Sequence, residues 1–372
     1  MVADREVFDL AVAARAPKIT AVEELKTLGR YKIQGVLGKG AMGLVYDGID
    51  PNLDRRVAIK TILTRKLDPE AARMIAVRFE REVRAVARLN HRNIIQVYDF
   101  GTEGELAYIV MEFIQGKELL DLFNAEERFD LGKAFKIMIE LLDALDFAHE
   151  AGIVHRDVKP ANVMIDANGH AKLADFGVAR VDDPDGPQGE ATRVGAQVGT
   201  PSYMSPEQVQ GMKVDQRSDI FSAGIIFYQF LTGKKPFEGT QFALQQKIVM
   251  EDPVWPSRIV QVPPDFDRVV ARALAKDVEQ RYQRARDFAA ALKRILAGKP
   301  PEDPDEVLTK PLPPMPAPAS ADHTVQGGEA ETEFWNDVKD SDDAEDLKLY
   351  VEQFPRGKFV AQAKSRIAEL GG

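Results

Sequence analysis

His155-Arg156-Asp157-Val158-Lys159-Pro160-Ala161-Asn162, followed eighteen positions after Asp157 by Asp175-Phe176-Gly177, is the stretch of this 372-residue chain that narrows its fold most sharply. Moving a phosphoryl group asks for a carboxylate to orient the attacking hydroxyl, a cation beside the γ-phosphate and oxygen ligands for Mg²⁺. Asp157, Lys159, Asn162 and Asp175 are those chemical types in one short ordered span. His155 reads more readily as a structural, hydrogen-bonding histidine than as a proton donor.

Upstream, Gly38-Lys39-Gly40-Ala41-Met42-Gly43-Leu44-Val45 is glycine-rich, and missing side chains let backbone N–H groups approach triphosphate oxygens. Taken alone, a plain glycine hairpin serves as well. A dinucleotide-binding fold needs a helix after the third glycine, whereas Leu44 to Ile49 alternates like a strand. Lys60 closes the apolar run Val57-Ala58-Ile59, so it either faces solvent or has a specific anionic partner. Phe79, Val83, Val86 and Leu89 recur at helical spacing and predict a helix over 78–89 with Glu82 beside the apolar stripe, in place to pair with Lys60. Strand-like segments dominate to about Met111 and helical ones from Leu131, through 134–150, 218–231 and 266–296. The expected fold class is α+β, a small β-rich lobe before a larger α-rich one.

Composition sets limits. A net charge of -10 argues against binding the phosphate backbone of nucleic acid. Without cysteine there is no disulfide framework or thiolate ligand, which is compatible with the cytoplasm. The opening residues, Met1 to Ala14, mix charges into their apolar positions and predict an exposed helix rather than a secretion signal. The longest apolar run, Phe221 to Leu231, is too short to span a bilayer. Eight prolines between Pro300 and Pro318 mark a linker, and the apolar pattern resumes from Trp335 as two or three short helices broken at Pro355-Arg356-Gly357. Asp342 with Glu345 has the spacing of a capping box.

With every motif in order, residues 29–297 resemble the eukaryotic-type (Hanks-type) serine/threonine protein kinase family, in its bacterial branch. The resemblance implies a two-lobed kinase fold, with an N-lobe over 29–112 and a C-lobe over 115–297. Flanking these would be an N-terminal extension (1–28), the proline-rich linker (298–331) and a small helical hairpin (332–372). It implies ATP and Mg²⁺, with Mn²⁺ as an alternative metal. Asp157 would be the catalytic base, Lys159 would sit on the γ-phosphate, and Lys60 with Glu82 would hold the α- and β-phosphates. Asn162 and Asp175 would bind the metal. The nucleotide would meet Leu37, Gly38, Gly40, Gly43, Val45, Ala58, Lys60 and Met164, with Met111 as gatekeeper and Glu112 to Ile114 as the hinge. Gly199 to Gln208 would cradle the residue after the phosphoacceptor, with Glu207 paired to Arg281 and Asp219 anchoring the catalytic loop. Lys159 and Thr200 favour serine/threonine over tyrosine as acceptor.

Departures from the family pattern are few. Ser205-Pro206-Glu207 replaces the commoner Ala-Pro-Glu and keeps the glutamate, while Gln229 stands where arginine-directed relatives carry a glutamate. Arg156 and Arg180 together ask for an anion, and Thr192 is the single hydroxyl residue between Gly177 and Gly199, so phosphorylation there would order the loop. The tail resembles a helical hairpin appended to various bacterial proteins, and a docking partner for 332–372 is one reading of it. The alternatives are a nucleotide-binding scaffold without chemistry, which typically lacks Lys60, Asp157 or Asp175, and a small-molecule kinase of the same fold. The expected partners are protein substrates, with no nucleic acid and no membrane span.

Overall fold

The computed structural model describes residues 25–40, 43–63, 80–104, 106–127, 129–176 and 201–301, and in the tail 335–336, 338–339, 347–348, 350–351, 354 and 357–370. The expected N-terminal helix, Arg180, Thr192, Thr200 and the Asp342–Glu345 capping box lie outside these residues. The chain divides into two compact units, Met1–Glu127 with Ile139–Val198, and Arg128–Met138 with Gly199–Gly372.

The first unit is built on an antiparallel sheet of strands β1 (Thr27–Leu28), β2 (Tyr31–Gly40), β3 (Gly43–Asp50), β4 (Arg55–Leu63), β5 (Val97–Glu103) and β6 (Leu106–Glu112), in the order β1-β2-β3-β4-β6-β5. Period-2 alternation gives the sheet two apolar faces. Leu28, Tyr31, Leu44, Tyr46, Val57, Ile59, Tyr108 and Val110 form one core, while Ala107 and Ile109 pack on the other side with Val83. Val83 belongs to helix α1 (80–86). Helix α2 (Leu119–Asn124) follows the short strand β7 (Gly116–Glu118), which pairs with β8 (Val163–Asp166) and, through it, β9 (Ala171–Leu173) in a second sheet. Strand β1 falls within the stretch expected to be an extension. Two residues are too short to show a period, and it is the complete burial of Leu28 beside Tyr31 that ties them to the sheet.

Helix α3 (Leu131–Glu150) carries the helical pattern expected over 134–150. The second unit then contains α4 (Pro206–Val209), α5 (Gln216–Thr232), α6 (Gln241–Met250), α7 (Pro256–Ile259), α8 (Asp265–Ala273), α9 (Ala285–Leu296) and α10 (Val360–Glu369). Helix α5 is buried nearly all round, in keeping with its apolar run interrupted at Ser222 and Gln229, and stops at Gly233 in the left-handed conformation. Phe227 lies edge-on to Phe135 at 5.7 Å and to Phe288 at 5.9 Å. The helical stretch expected over 266–296 is interrupted by a 3₁₀ turn, Val278–Gln280. Asp277, past the end of α8, caps that turn by accepting the Glu279 N–H at 2.9 Å.

Tail residues Trp335, Val338, Leu347, Tyr350, Phe354 and Ala363 form a separate small core, with Trp335 stacked on Phe359 at 5.2 Å. Among the described residues no helix is long and apolar enough to cross a membrane.

Candidate active site

Strand alternation places the candidate nucleotide residues. Val45 is opposite Lys60 in the β3–β4 pair, and Ala58 is opposite Met111 in the β4–β6 pair. On β4, Val57 and Ile59 point into one core, so Ala58 and Lys60 share the other face, where Met111 packs beside Val83 of α1. Glu82, next to Val83, is half-buried. Leu37 is 45% exposed, and Val45, Ile114 and Met164 are half-buried, an apolar set with surface left to cover. Glu112 is tied down through its side chain, which accepts Lys172 Nζ at 2.9 Å on both oxygens.

The glycines of the loop do different jobs. A Cβ at Gly38 would meet nothing within 4 Å, leaving its backbone approachable. At Gly43 a Cβ would lie 2.0 Å from the Thr61 carbonyl oxygen, so the fold itself demands glycine there. Gly40 pairs with Gly43 in the β2–β3 ladder.

The candidate catalytic segment is a web of short polar contacts. Lys159 Nζ donates to Asp157 Oδ2 at 2.8 Å, and Asn162 Nδ2 donates to the Asp157 carbonyl at 2.8 Å and to Oδ2 at 3.1 Å. Asn162 in turn accepts the Ala174 N–H on its own carbonyl at 2.8 Å, one residue before Asp175. Lys60 Nζ donates to Asp175 Oδ2 at 2.6 Å, joining residues 115 positions apart. His155, fully buried, donates from Nε2 to the Ala174 carbonyl at 2.8 Å and accepts the Asp157 N–H on Nδ1 at 3.2 Å. Its ring lies 4.7 Å from that of Phe176. His155 is therefore a strut between the two loops, in keeping with the structural role its sequence context suggests. Arg156 and Asp175 adopt left-handed backbone angles, with φ of 64° and 57°.

The donor set suits a hard cation. Asn162 and Asp175 offer oxygen, and among the described residues no group of three or more His, Asp or Glu side chains makes an all-protein metal cage. Two oxygen-bearing residues beside a lysine fit an ion that arrives on phosphate oxygens and keeps its water, the habit of Mg²⁺.

Three contributors were not anticipated. Glu118 lies near enough to Asp175 and Lys159 to feel both. Burial first, then the charges of Asp121 and Asp175, push its carboxyl up, and Lys159 pulls it back. Asn93 donates to the Ala171 carbonyl at 2.7 Å, and Leu173 exchanges backbone bonds with Asn93 and Ile95 at 2.8 and 2.9 Å, aligning β9 ahead of Asp175. Glu140, on α3, accepts the Ala171 N–H at 2.8 Å and holds His170 at 2.7 Å. Single carboxylates and amides on otherwise ordinary segments carry no pattern that would have singled them out.

In the second unit Glu207 and Arg281 form a buried bidentate pair at 2.7 and 2.8 Å. Burial would push the Glu207 carboxyl up, but the Arg281 hydrogen bonds and charge, with the Ser218 hydroxyl, hold it below the usual carboxylate range. Ser205 caps α4 in a box with Gln208, a use for serine that alanine could not serve. Gln229 accepts the Tyr203 hydroxyl at 2.7 Å, and Asp219 is buried in the first turn of α5.

Comparison with known proteins follows the same outline. Residues 31–294 match the family model of the protein kinase domain. The chain is 41% identical over 286 residues to the serine/threonine-protein kinase PknB of Mycobacterium tuberculosis, covering 75% of this chain and 45% of that protein. It is 39% identical to the probable serine/threonine-protein kinase SCO3848 of Streptomyces coelicolor, covering 75% of this chain and 42% of that one. It is 37% identical to the probable kinase PknB of Bifidobacterium longum, covering 73% and 40%. The chain thus spans less than half the length of these curated relatives. Carrying the kinase motifs in order, it belongs to the protein kinase family, in the Hanks-type branch found in bacteria.

Proposed function

We propose that this chain is an ATP-dependent serine/threonine protein kinase acting on protein substrates in the bacterial cytoplasm. One observation carries the reading. Lys60 bonds Asp175 at 2.6 Å, Lys159 and Asn162 bond Asp157 at 2.8 and 3.1 Å, and the Ala174 N–H, one residue before Asp175, bonds the Asn162 carbonyl at 2.8 Å, so residues spread over 116 positions are brought together.

Each residue has a task. Asp157, its Oδ2 held by Lys159 and Asn162, orients the acceptor hydroxyl and takes its proton. Lys159 places positive charge where the transferred group becomes more anionic, and Lys60 turns from Asp175 to the α- and β-phosphates, steadied by Glu82. Asn162 and Asp175 present oxygens to Mg²⁺, which supplies charge neutralisation of the phosphates when bound. Val45, Ala58 and Met164 cover the adenine faces, and backbone groups of Glu112 to Ile114 meet its edge. Thr192 is the activating autophosphorylation site, with Arg156 and Arg180 receiving its phosphate.

The test is incubation of the purified chain with Mg²⁺ and ATP, mapping of the residues that gain phosphate, and comparison with Asp157→Asn. Phosphate on serine or threonine in the parent, and a fall of about 10³-fold or more in the variant, is expected. Equal incorporation in both would overturn the reading. Thr192→Ala, assayed beside a parent preparation allowed to autophosphorylate, should lack the activated rate; an undiminished rate removes the regulatory assignment.

A further inference from the structure

Helix α6 is apolar on two sides. Ala243, Leu244 and Ile248 are buried, yet Phe242 and Val249 are also apolar and half-buried, and Met250 is 74% exposed. An amphipathic surface helix would be polar on its outer side, so a helix apolar on both sides requires a second cover. In the structure Phe242 packs against the tail core of Trp335, Val338, Leu347 and Tyr350. The tail core is otherwise self-contained: Trp335 lies 5.2 Å from both Tyr350 and Phe359, and the Tyr350 hydroxyl accepts the Phe359 N–H at 3.2 Å. A module that closes its own core and still engages a phenylalanine about a hundred positions away is a folded ligand tethered to its own receptor.

We infer that the outer face of α6, centred on Phe242, is a docking site whose occupant is the chain's own C-terminal module, bound in cis. Covalent attachment makes a small contact sufficient, because a tether of suitable length holds the module at an effective concentration on the order of millimolar. An outside protein reaching either surface must first compete with this contact. The module is then a cover for α6 that can be released. It is not a free bait.

Hydrogen exchange on the full-length chain tests this without reference to catalysis. In Phe242→Asp, amides of Gln241–Met250 and of Val360–Glu369 should exchange at least tenfold faster than in the parent. Leu347→Asp, which dismantles the module and leaves α6 untouched, should speed exchange in Gln241–Met250 as well. It decides the matter if the first variant misfolds. Unchanged exchange of Gln241–Met250 in Leu347→Asp overturns the proposal. So does protection that appears only as protein concentration is raised, because it would put the module on a second copy.

Discussion

Replacing Arg281 by methionine should destabilise the helical unit far more than the loss of an ordinary surface ion pair. The side chain is fully buried and makes five hydrogen bonds, two to Glu207, the others to the carbonyls of Ala275, Arg217 and Lys276. Methionine fills much of the volume and supplies none of the bonds. It strands the Glu207 carboxylate, 6% exposed, with the Ser218 hydroxyl. Breaking a buried pair by removing one partner costs about 3–5 kcal/mol. At about 2–4 °C per kcal/mol for a unit of this size, Tm should fall by roughly 6–20 °C.

The pH dependence identifies the cause. In the parent the Glu207 carboxyl is held below its ordinary value of 4.5, so its stabilisation is present above that pH and is lost as pH falls through the depressed value. In Arg281→Met burial is opposed only by the Ser218 hydroxyl and a backbone N–H, so the folded pKa of Glu207 rises above the unfolded one and the penalty is greatest at neutral pH. The Tm gap between parent and variant should therefore narrow between about pH 7.5 and about pH 5. Glu207→Gln leaves Arg281 charged throughout, so its deficit should not narrow. Glu207→Leu combined with Arg281→Met should recover at least half the loss, since apolar replacement of a buried pair is often neutral. Thermal and urea unfolding of the four proteins supply the measurement. A cost under about 1 kcal/mol for Arg281→Met, or a gap indifferent to pH, would mean that the stranded carboxylate is not what destabilises the variant.

Lys276 is half-buried over Phe237, at 4.2 Å, and donates to the Ile248 carbonyl at 2.7 Å; burial lowers its pKa from 10.5 to about 7. The unfolded chain then binds the extra proton between those values, so stability rises with pH across that window, and Lys276→Met should be more stable at neutral pH by a few kcal/mol, converging with the parent near pH 10. Gly43→Ala puts a methyl against the Thr61 carbonyl and should cost roughly 1–3 kcal/mol in urea unfolding. His155→Phe keeps the ring beside Phe176 and deletes both hydrogen bonds, so kcat should drop about 10- to 100-fold with KM for ATP little changed. A KM-dominated effect would deny it the strut role.

The sequence was most readable where chemistry and period coincide. Lys60 closes an apolar run, Asp157, Lys159 and Asn162 share one turn, and Asp175 follows at a fixed remove, so their convergence could be argued from residue order alone. Val45 and Ala58 were expected from the family resemblance alone, and the pairing of β3 with β4 sets Val45 opposite Lys60. The hidden parts depend on tertiary partners. Lys60 bonds Asp175, whereas the sequence suggested only Glu82, because a contact between residues 115 positions apart leaves no local mark. The 3₁₀ break before Arg281 looked like continuous helix, since its apolar spacing survives the interruption. The contact of Phe242 with the tail core likewise joins residues about a hundred positions apart and leaves no local mark.

The strain in the site explains why these contacts are so dense. Arg156 and Asp175 sit in left-handed backbone, which costs a non-glycine residue roughly 1–2 kcal/mol, yet glycine could supply neither the guanidinium nor the carboxylate. Two such residues persist only if neighbours over-determine them. His155 grips both loops at once, through the Asp157 N–H and the Ala174 carbonyl, and Asn162 does the same through the Asp157 carbonyl and the Ala174 N–H. At about 0.5–1.5 kcal/mol each, four bonds suffice to offset the strain. The same four bonds join the loop carrying Asp157 to the loop carrying Asp175, so a force that turns one carboxylate is felt at the other. The orientations of the Asp157 and Asp175 carboxylates are therefore mechanically coupled.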